Sequence, residues 1–266
     1  WRKLNDHAPV YTVIADKYRL RDYITHRFGA KMAARVIPHW RLVTDRPRAA
    51  ELQAAGTGVI IKPNHRSGSL RIVPVGADAD WRRLALTARR WMRQRYGLKR
   101  HEWAYHGIKA CILVEDLVLG ADGQPAMDVK FQVMDGVCDR VEVIYNRQTS
   151  GRYVTATRDW IEMDADWRDY ARGKLPEKPI FYEQMRDFAE KIGSDFDYIR
   201  VDFLSGATEW KLNELTLYES DGLTAYVDPN VELAYGRLWT LRKYDGVWGK
   251  SAPYDLNFEQ TRSGKF

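Results

Sequence analysis

The chain has 266 residues, of which 45% are hydrophobic and 29% charged, and its formal net charge at pH 7 is +6. This length and composition suit a folded protein with a sizeable core and exclude a disordered chain or a fibre. No run of residues approaches the ~18 consecutive apolar residues that a membrane span needs. Two cysteines, Cys111 and Cys138, are too few for a disulfide scaffold or a cysteine-rich zinc site. The first residues contain no apolar signal-peptide core, so we expect a cytoplasmic protein.

Apolar periodicity, glycine stops and turn residues predict helices and strands in a mixed order. In chain order, the predicted elements are helix 16–28, strand 58–61, helix 80–96, strand 111–114, strands 129–134 and 137–145, helix 180–192, strands 198–204 and 210–217, helix 231–241 and a loop-like tail from 246. Asp135-Gly136, between two apolar runs, is a strong hairpin signal. Strands and helices do not alternate regularly, and no Gly-x-Gly-x-x-Gly or Walker-type loop occurs. We therefore expect an α+β fold rather than a doubly wound sheet.

The first chemical signal is a polar loop that follows a buried strand. Lys62 ends the apolar run, and His65, Ser67, Gly68 and Ser69 follow it. Backbone N–H groups of such a loop can surround phosphate oxygens, and the lysine adds a point charge. On local sequence alone, an ordinary turn beside an exposed lysine is an equally good interpretation.

The second signal is a pair of acidic residues on neighbouring strands. Asp202, Glu214 and Thr216 differ by even numbers, so a hairpin can bring Asp202 opposite the other two on one sheet face. Two facing carboxylates repel each other unless a cation lies between them, and Mg²⁺ bound by carboxylates and phosphates fits this pattern. An acidic pair on a solvated sheet face is the alternative, and it is the commoner arrangement.

A third signal is the run Glu115-Asp116-Leu117-Val118, which follows another buried strand. Such a run suits a nucleotide-base hinge, in which backbone groups contact the edge of the adenine and apolar side chains pack on the ring. Taken alone, this run is a weak signal.

The fourth signal is Asp128 and Lys130, which share one strand face, together with Arg147 at the far end of the hairpin. Lys130 and Arg147 could neutralise a phosphate or an acyl phosphate. The alternative is a set of surface ion pairs that contribute little.

Along the chain the four signals occur in the order polar loop, base hinge, basic pair and acidic pair. In that order they resemble the ATP-grasp superfamily, and most closely the TupA-like ATP-grasp proteins of bacterial polysaccharide clusters. The resembling stretches are residues 16–23, 59–68, 112–118, 127–131, 178–179, 198–203, 213–216 and 220–222. The resemblance implies an ATP-grasp fold, in which two α+β subdomains clamp ATP between antiparallel sheets. It divides the chain into an N-terminal mixed segment 1–57, a small subdomain 58–118 with the phosphate loop, a large subdomain 119–245 with the Mg²⁺ site, and a tail 246–266.

The resemblance also implies roles for residues of the small subdomain. Lys62 would contact the α- and β-phosphates of ATP, and the loop 64–69 would close over the β- and γ-phosphates. Glu115, with the backbone near Leu117 and Val118, would hold the adenine. Asp116 belongs to the same run and is predicted to contribute to the ATP site with it.

In the large subdomain, Asp128 matches an acid that often meets the ribose. Asp202 and Glu214 would bind Mg²⁺, and Thr216 stands where many members carry asparagine, a stronger neutral ligand. Lys130 and Arg147 would be the catalytic cations, because both lie where they could offset the charge of an acyl phosphate.

The activity that the resemblance implies is ATP- and Mg²⁺-dependent ligation of a carboxylate to an amine. The expected substrate is an anionic small molecule or glycan, such as a sugar acid, an amino acid or a peptide, in surface-polysaccharide assembly. A kinase on the same fold is the runner-up, and a glycosyltransferase, a label that some members carry, is ranked below it.

A nucleic-acid-binding module is the alternative from another class. Residues 81–101 carry eight Lys or Arg and no Asp or Glu, so the rest of the chain has a net charge of −2. No RNP-like strand or helix-turn-helix pattern accompanies this segment, and a run of charge is usually a solvated face. We therefore expect a compact anion, either the acceptor or ATP, as the partner of this helix.

Overall fold

The computed structural model describes residues 2–147, 150–165, 171–223, 226–241, 243–244 and 247–248. Within these residues the chain forms two units, one that ends at Leu117 and one that begins at Val118. Both units combine antiparallel sheets with helices, which confirms the α+β prediction. No helix of the described residues is long and apolar enough to cross a membrane.

The first unit combines several helices with a small sheet. Its described elements are α1 (Arg2–Asn5), α2 (Pro9–Ala15), α3 (Leu20–Phe28), α4 (Ala30–Val36), β1 (Trp40–Thr44), α5 (Ala49–Ala54), β2 (Val59–Pro63), β3 (Arg71–Val73), α6 (Trp81–Met92) and β4 (Ile112–Asp116). The sheet is antiparallel with the strand order β1-β4-β2-β3.

Strand alternation gives the first sheet two different faces. Val59 and Ile61 of β2 pack with α5 and α6 in one buried cluster, whereas Ile60 and Lys62 point the other way. Helix α6 joins this cluster through Ala85, Ala88 and Trp91, and four arginines of the basic segment occupy other positions of the helix. The basic helix therefore covers the sheet face opposite to Lys62.

The second unit is built on a larger sheet. Its described elements are β5 (Met127–Met134), β6 (Val137–Tyr145), β7 (Arg152–Thr157), β8 (Glu162–Met163), α7 (Tyr182–Gly193), β9 (Ile199–Ser205), β10 (Trp210–Thr216), α8 (Pro229–Leu238), β11 (Lys243–Tyr244) and β12 (Val247–Trp248). Strands β5 to β10 form one antiparallel sheet with the order β10-β9-β5-β6-β7-β8. A short helical turn, Glu219–Gly222, follows β10.

Helix α7 covers the apolar face of the second sheet. The ring of Phe131 on β5 lies 5.5 Å from that of Tyr182, and the ring of Phe203 on β9 lies 6.5 Å from that of Phe188. The last turn of α7 approaches β5 so closely that a Cβ on Gly193 would lie 2.1 Å from Cγ1 of Val133. Glycine is therefore required at this contact, and Gly193 belongs to the helix instead of ending it at Ile192 as predicted.

The hairpin prediction is confirmed, and several predicted helix ends are wrong. Asp135 and Gly136 join β5 to β6 with φ angles of +48° and +82°, as a two-residue turn with left-handed backbone requires. Helix α6 ends at Met92 rather than near residue 96, and the Gln94 carbonyl accepts a hydrogen bond from the His65 ring instead of continuing the helix. The helix predicted from residue 16 begins at Leu20.

Asp16 explains that late start. Its carboxylate accepts hydrogen bonds from Nδ2 of Asn64, at 2.8 Å, and from the backbone N–H of Tyr18, at 2.9 Å, so it holds the chain against β2 rather than capping α3. The last predicted helix also moves, because Pro229 at the first helical position and Asp228 as the cap set its start, and it ends at Leu238. Of the tail predicted as loop from 246, residues 247–248 form β12, and the rest lies outside the described residues.

Candidate functional site

The polar face of the second sheet gathers the predicted metal-binding and catalytic residues. Asp128 and Lys130 alternate with apolar residues along β5, so they project from the face that α7 does not cover. In the strand register, Lys130 pairs with Asp202, and Asp202 pairs with Glu214. The predicted opposition of Asp202 and Glu214 is thereby confirmed.

Asp202 is the centre of this face and meets two cations. Lys130 Nζ lies 2.9 Å from its Oδ2, and the guanidinium of Arg200 contacts both carboxylate oxygens at 2.7 Å. The Arg200 contact is a two-pronged fork, which is the strongest common geometry for a guanidinium on a carboxylate. Burial without these partners would be costly for a carboxylate that is 1% exposed.

Arg200 also joins the other two predicted metal-binding residues. Its Nη2 lies 3.3 Å from Oε1 of Glu214 and donates to the Thr216 hydroxyl at 3.1 Å. The cation expected between the two carboxylates is therefore a guanidinium in this structure. The sequence analysis missed Arg200, although its position two residues before Asp202 puts both on one strand face.

The donors at this point suit magnesium only as part of a larger set of ligands. Two carboxylates and a hydroxyl are hard oxygen donors of the kind that Mg²⁺ prefers. The described residues hold no group of three or more His, Cys, Asp or Glu side chains that could bind a metal ion by themselves. Asp202 and Glu214 therefore fit Mg²⁺ if phosphate oxygens and water complete its coordination.

A buried hydrogen-bond network, centred on Gln132, supports Arg200 from one side. The Gln132 amide donates to Glu142 at 2.8 Å and to Glu219 at 2.7 Å, and its oxygen accepts from the hydroxyls of Tyr198 and Tyr235 at 2.9 and 2.8 Å. Glu219 in turn lies 3.3 Å from Nη1 of Arg200. The network therefore connects β5, β6, the Glu219–Gly222 turn and α8 to the central arginine.

Glu142 is the most strongly perturbed carboxyl of this network. Burial raises its pKa well above its usual range, and repulsion from Glu219 raises it further. The protonated form of Glu142 is favoured as a result. The sequence analysis did not single out Gln132, Glu142 or Glu219; the even spacing of Gln132 from Lys130 was the one available signal.

Asp128 and Arg147 form an ion pair at the edge of the same face. Arg147 Nε lies 2.8 Å from Oδ2 of Asp128. Burial raises the pKa of Asp128, while the charges of Arg147 and Lys130 oppose that rise. The guanidinium of Arg147 is 41% exposed, so it can contact a bound anion without first leaving the core.

In the first unit, Lys62 and Glu115 form a buried ion pair. Lys62 Nζ lies 2.8 Å from Oε2 of Glu115, and the two side chains are 6% and 3% exposed. The indole of Trp40 donates to the other Glu115 oxygen at 3.3 Å. Lys62 therefore points into the sheet face away from α6, with its charge balanced by a residue that the sequence assigned to the adenine.

The polar loop after β2 has a fixed base and an exposed tip. Asn64 holds the base, because its amide donates to the Lys109 carbonyl at 2.9 Å and accepts from the Cys111 N–H at 2.8 Å. His65 is buried, and burial lowers the pKa of its ring. Ser67 and Gly68 are exposed at the tip, where Gly68 has a φ of +71°. The backbone of the tip, rather than the His65 ring, is the part of the loop open to an anion.

The hinge residues divide between two faces and two units. Asp116 points opposite to Glu115 and contacts Arg41 Nε at 2.5 Å and His39 Nδ1 at 2.8 Å. The Leu117 N–H donates to the Gly58 carbonyl at 3.0 Å within the first unit. In the second unit, Val118 is buried, and its carbonyl accepts from the Ala126 N–H at 2.9 Å.

Asp-x-Asp triplets, which can bind the metal of a nucleotide sugar, occur at residues 78–80, 164–166 and 195–197. Asp80 caps α6 by accepting from the Arg83 N–H at 2.9 Å. Asp195 and Asp197 are buried in the turn after α7, and Asp166 lies outside the described residues. Asp80 thus serves as a helix cap, and Asp195 and Asp197 lie in the protein interior rather than at an open metal site.

A family model described as TupA-like ATP-grasp matches residues 1–239 of the chain. No curated protein sequence matches the chain. Among solved structures, D-alanine–D-alanine ligase from Bacillus anthracis complexed with ATP is 16% identical, with a TM-score of 0.47. That alignment covers 84% of this chain and 61% of the ligase, so the chain spans about three-fifths of the ligase's length.

Two further structures are similar at lower identity. The ATP-grasp ligase PsnB, complexed with a phosphomimetic variant of its minimal precursor, Mg and ADP, is 14% identical, with a TM-score of 0.43 over 86% of this chain and 60% of PsnB. N5-carboxyaminoimidazole ribonucleotide synthetase from Thermus thermophilus is 11% identical, with a TM-score of 0.40 over 77% of this chain and 45% of that enzyme.

Proposed function

Since the chain belongs to the TupA-like ATP-grasp family, we propose that it binds ATP with Mg²⁺ and uses it to join a carboxylate to an amine. The observation that carries this proposal is the convergence of Lys130 and Arg200 on the buried Asp202, with Glu214 beside them. A cluster of this kind binds phosphate oxygens through its cations and a metal ion through its carboxylates. An anionic substrate class follows from the same cations.

The reaction begins with the substrate carboxylate. One of its oxygens attacks the γ-phosphorus of ATP, the new O–P bond forms as the bond to the bridging oxygen breaks, and ADP leaves. The amine nitrogen then attacks the acyl carbon, the C–O bond to phosphate breaks, and the nitrogen loses a proton as inorganic phosphate departs. Both steps concentrate negative charge on phosphate oxygens, so fixed cations accelerate them.

Several of the residues that the sequence predicts would supply those cations and the remaining contacts. Lys62 would bind phosphate oxygens as a point charge, aided by backbone N–H groups at the tip of its loop. Mg²⁺ would be held by Asp202 and Glu214, with the Thr216 hydroxyl near, and when bound it would neutralise phosphate oxygens.

The remaining cations would act on the reacting group. Lys130 is held in place by Asp202, so it would present its charge at a defined point of the polar face. Arg147, which is partly exposed, would contact the acyl phosphate. The guanidinium of Arg200, a residue not predicted from the sequence, would contact both the carboxylates and the transferring phosphate. We propose a sugar acid, amino acid or peptide as the substrate, in surface-glycan assembly.

The test compares two conservative variants, one of a glutamate on β10 and one of the glutamate just before it. Glu214→Gln removes a charge from the site, whereas Glu209→Gln removes a charge from a half-exposed residue that pairs with Lys211. ATP affinity is measured with and without Mg²⁺, together with ADP release in the presence of candidate acids and amines. The quantity compared is the factor by which Mg²⁺ increases ATP affinity. We expect this factor to be at least tenfold smaller in Glu214→Gln than in the wild type, and within twofold of the wild-type factor in Glu209→Gln.

Three results would contradict the proposal. Absence of ATP binding at millimolar Mg²⁺ would remove its basis, and an unchanged Mg²⁺ dependence in Glu214→Gln would refute the metal assignment. A phosphorylated product without a coupled amine would identify a kinase instead.

A further inference from the structure

Helix α6 carries a charge that the proposed ATP chemistry does not use. The segment 81–101 contains eight basic residues and no acidic one. The helix packs on the sheet through Ala85, Ala88 and Trp91, on the face that also buries Val59 and Ile61. Lys62 belongs to the opposite face, so the arginines of α6 are not extra contacts for the phosphates that Lys62 would bind.

Part of this charge lines a cavity within the first unit. The cavity has a volume of about 640 Å³, and four of its seven lining residues are Arg46, Arg48, Arg89 and Arg93. Asp45 is the one acidic residue among them. Sites for small organic ligands typically measure about 300 to 1,000 Å³, so the space admits more than a single inorganic ion.

Two separate segments form the walls of this arginine pocket. Arg46 and Arg48 come from the connection between β1 and α5, whereas Arg89 is in the last turn of α6 and Arg93 is the residue that follows the helix. A hydrogen bond of 2.9 Å from Arg89 Nε to the Pro47 carbonyl joins the two walls. The wall that carries Arg46 and Arg48 is therefore held at a fixed distance from the helix before any ligand binds.

The backbone of the connecting segment is fixed in the same way. The Arg46 N–H donates to the Thr44 hydroxyl at 3.1 Å, and the Arg48 N–H donates to the Glu51 carboxylate at 3.3 Å. Preorganised donors bind more tightly, because less conformational entropy is lost on binding. Because of these two hydrogen bonds, the backbone of this segment loses little further conformational freedom when a ligand binds.

The charge of the pocket determines the kind of ligand. Four guanidinium groups around one space repel one another, and an anion in that space removes the repulsion. Guanidinium groups bind phosphate through paired N–H donors in a planar fork. The lining residues carry a net charge of +3, which the ion pair of Arg48 Nε with Glu51 Oε1 at 3.5 Å lowers to +2, and this charge suits a ligand with one or two phosphoryl groups.

We propose that the arginine pocket binds a phosphorylated small molecule through the guanidinium groups of Arg46, Arg48, Arg89 and Arg93. The proposal is independent of the ATP site, because every residue of the pocket lies in the first unit and none is Lys62 or a residue of its loop, and because α6, next to the pocket, packs on the sheet face opposite to Lys62. The protein thus has a second anion site in addition to the one proposed for ATP.

Pyrophosphate is the probe for the test, and calorimetric titration at low and physiological salt is the measurement. The pocket variant is Arg46→Gln/Arg93→Gln, which leaves the structural hydrogen bond of Arg89 in place. The matched control is Arg82→Gln/Arg90→Gln, which removes the same charge from exposed positions of α6 that do not line the cavity. We expect the pocket variant to bind pyrophosphate at least tenfold more weakly than the wild type, and the control to stay within twofold.

A second background separates this site from the ATP site. The titrations are repeated in Lys62→Met/Glu115→Met, in which the phosphate-binding lysine is absent. We expect the tenfold effect of the pocket variant to persist there, whether or not the protein turns over ATP. Disappearance of the effect in this background would assign the pyrophosphate to the ATP site and overturn the proposal.

Three other outcomes would also overturn it. The wild type could fail to bind pyrophosphate at millimolar concentration, or the pocket variant and the control could lose affinity equally, as diffuse electrostatic attraction requires. Binding to phosphatidic acid vesicles, or to generic DNA, without binding of soluble pyrophosphate would assign the arginines to a lipid headgroup or to a nucleic acid.

Discussion

The ion pair between Lys62 and Glu115 yields a prediction that separates the stability of the first unit from its function. Lys62→Met keeps the length of the side chain but leaves Glu115, which is 3% exposed, without its cation at 2.8 Å. Removing one partner of a buried ion pair typically costs about 3–5 kcal/mol, because the other charge stays desolvated. Glu115→Met should cost a similar amount, since it leaves the lysine charge buried.

The double variant Lys62→Met/Glu115→Met should behave differently from either single one. Replacing both partners of a buried pair by apolar side chains of similar volume is often neutral or stabilising. We therefore expect the double variant to regain most of the stability that each single variant loses, so that the double-mutant cycle gives a coupling free energy of about 3 kcal/mol or more. Its ATP affinity should nevertheless fall at least tenfold, because the phosphate contact of Lys62 is missing.

The assay is urea unfolding of the four proteins, followed by ATP titration with Mg²⁺ on those that are folded. Asp116→Asn is the matched stability control, because the Arg41–Asp116 pair joins β1 and β4 nearby but is 34% and 42% exposed. Exposed pairs contribute about 0–1 kcal/mol, so this control should unfold close to the wild type. The reasoning is refuted if Lys62→Met costs less than about 1 kcal/mol, the most that an exposed pair contributes, or if the double variant is no more stable than the single ones.

Two further predictions concern stability alone. Burial raises the pKa of Asp16 from 3.8 to about 6. The contribution of Asp16 to the free energy of unfolding is therefore fully present below pH 3.8 and is lost as the pH rises through 6, by up to ~3 kcal/mol. Asp16→Asn should flatten this part of the pH profile in urea titrations, and an unchanged slope would show that another group is responsible. Gly193→Ala should destabilise the second unit by about 1–3 kcal/mol, because its new Cβ would collide with Val133. Gly236→Ala in α8, where a Cβ would have nothing within 4 Å, should instead stabilise that helix by up to ~1 kcal/mol. Thermal unfolding compares the two variants, and equal melting temperatures would contradict the packing argument.

Several features of the second unit could be predicted because they depend on local patterns. Asp135-Gly136 supplies the left-handed backbone of a two-residue turn, so it determined both the hairpin and the pairing of β5 with β6. The even spacing of Asp202, Glu214 and Thr216 follows from the two-residue repeat of a strand, and the register confirms that Asp202 and Glu214 face each other. Family membership could also be predicted from the order of the short motifs.

Other features could not be predicted, since they depend on which distant residues meet. Arg200 stands two residues from Asp202 in the sequence, but its contacts with Glu214 and Glu219 depend on how β9, β10 and the following turn pack. The predicted helix start at residue 16 and the predicted helix end at residue 96 were wrong for a similar reason. Asp16 and the Gln94 carbonyl accept hydrogen bonds from Asn64 and His65 in the loop after β2, and these long-range bonds are not visible in the local pattern.

The sequence by itself determined the α+β class, the hairpin, the sheet faces and the residues that carry charge, because alternation along a strand and turn chemistry act over a few neighbouring residues. Only the tertiary structure decided that Lys62 is paired with Glu115, that Arg200 lies between the two carboxylates, and that the basic helix is on the face opposite to Lys62. The first and third outcomes depend on the strand order β1-β4-β2-β3 and on the side of the sheet that α6 covers, and the second depends on the pairing of β9 with β10. Burial of apolar surface over the whole unit selects that arrangement, and no local pattern encodes it.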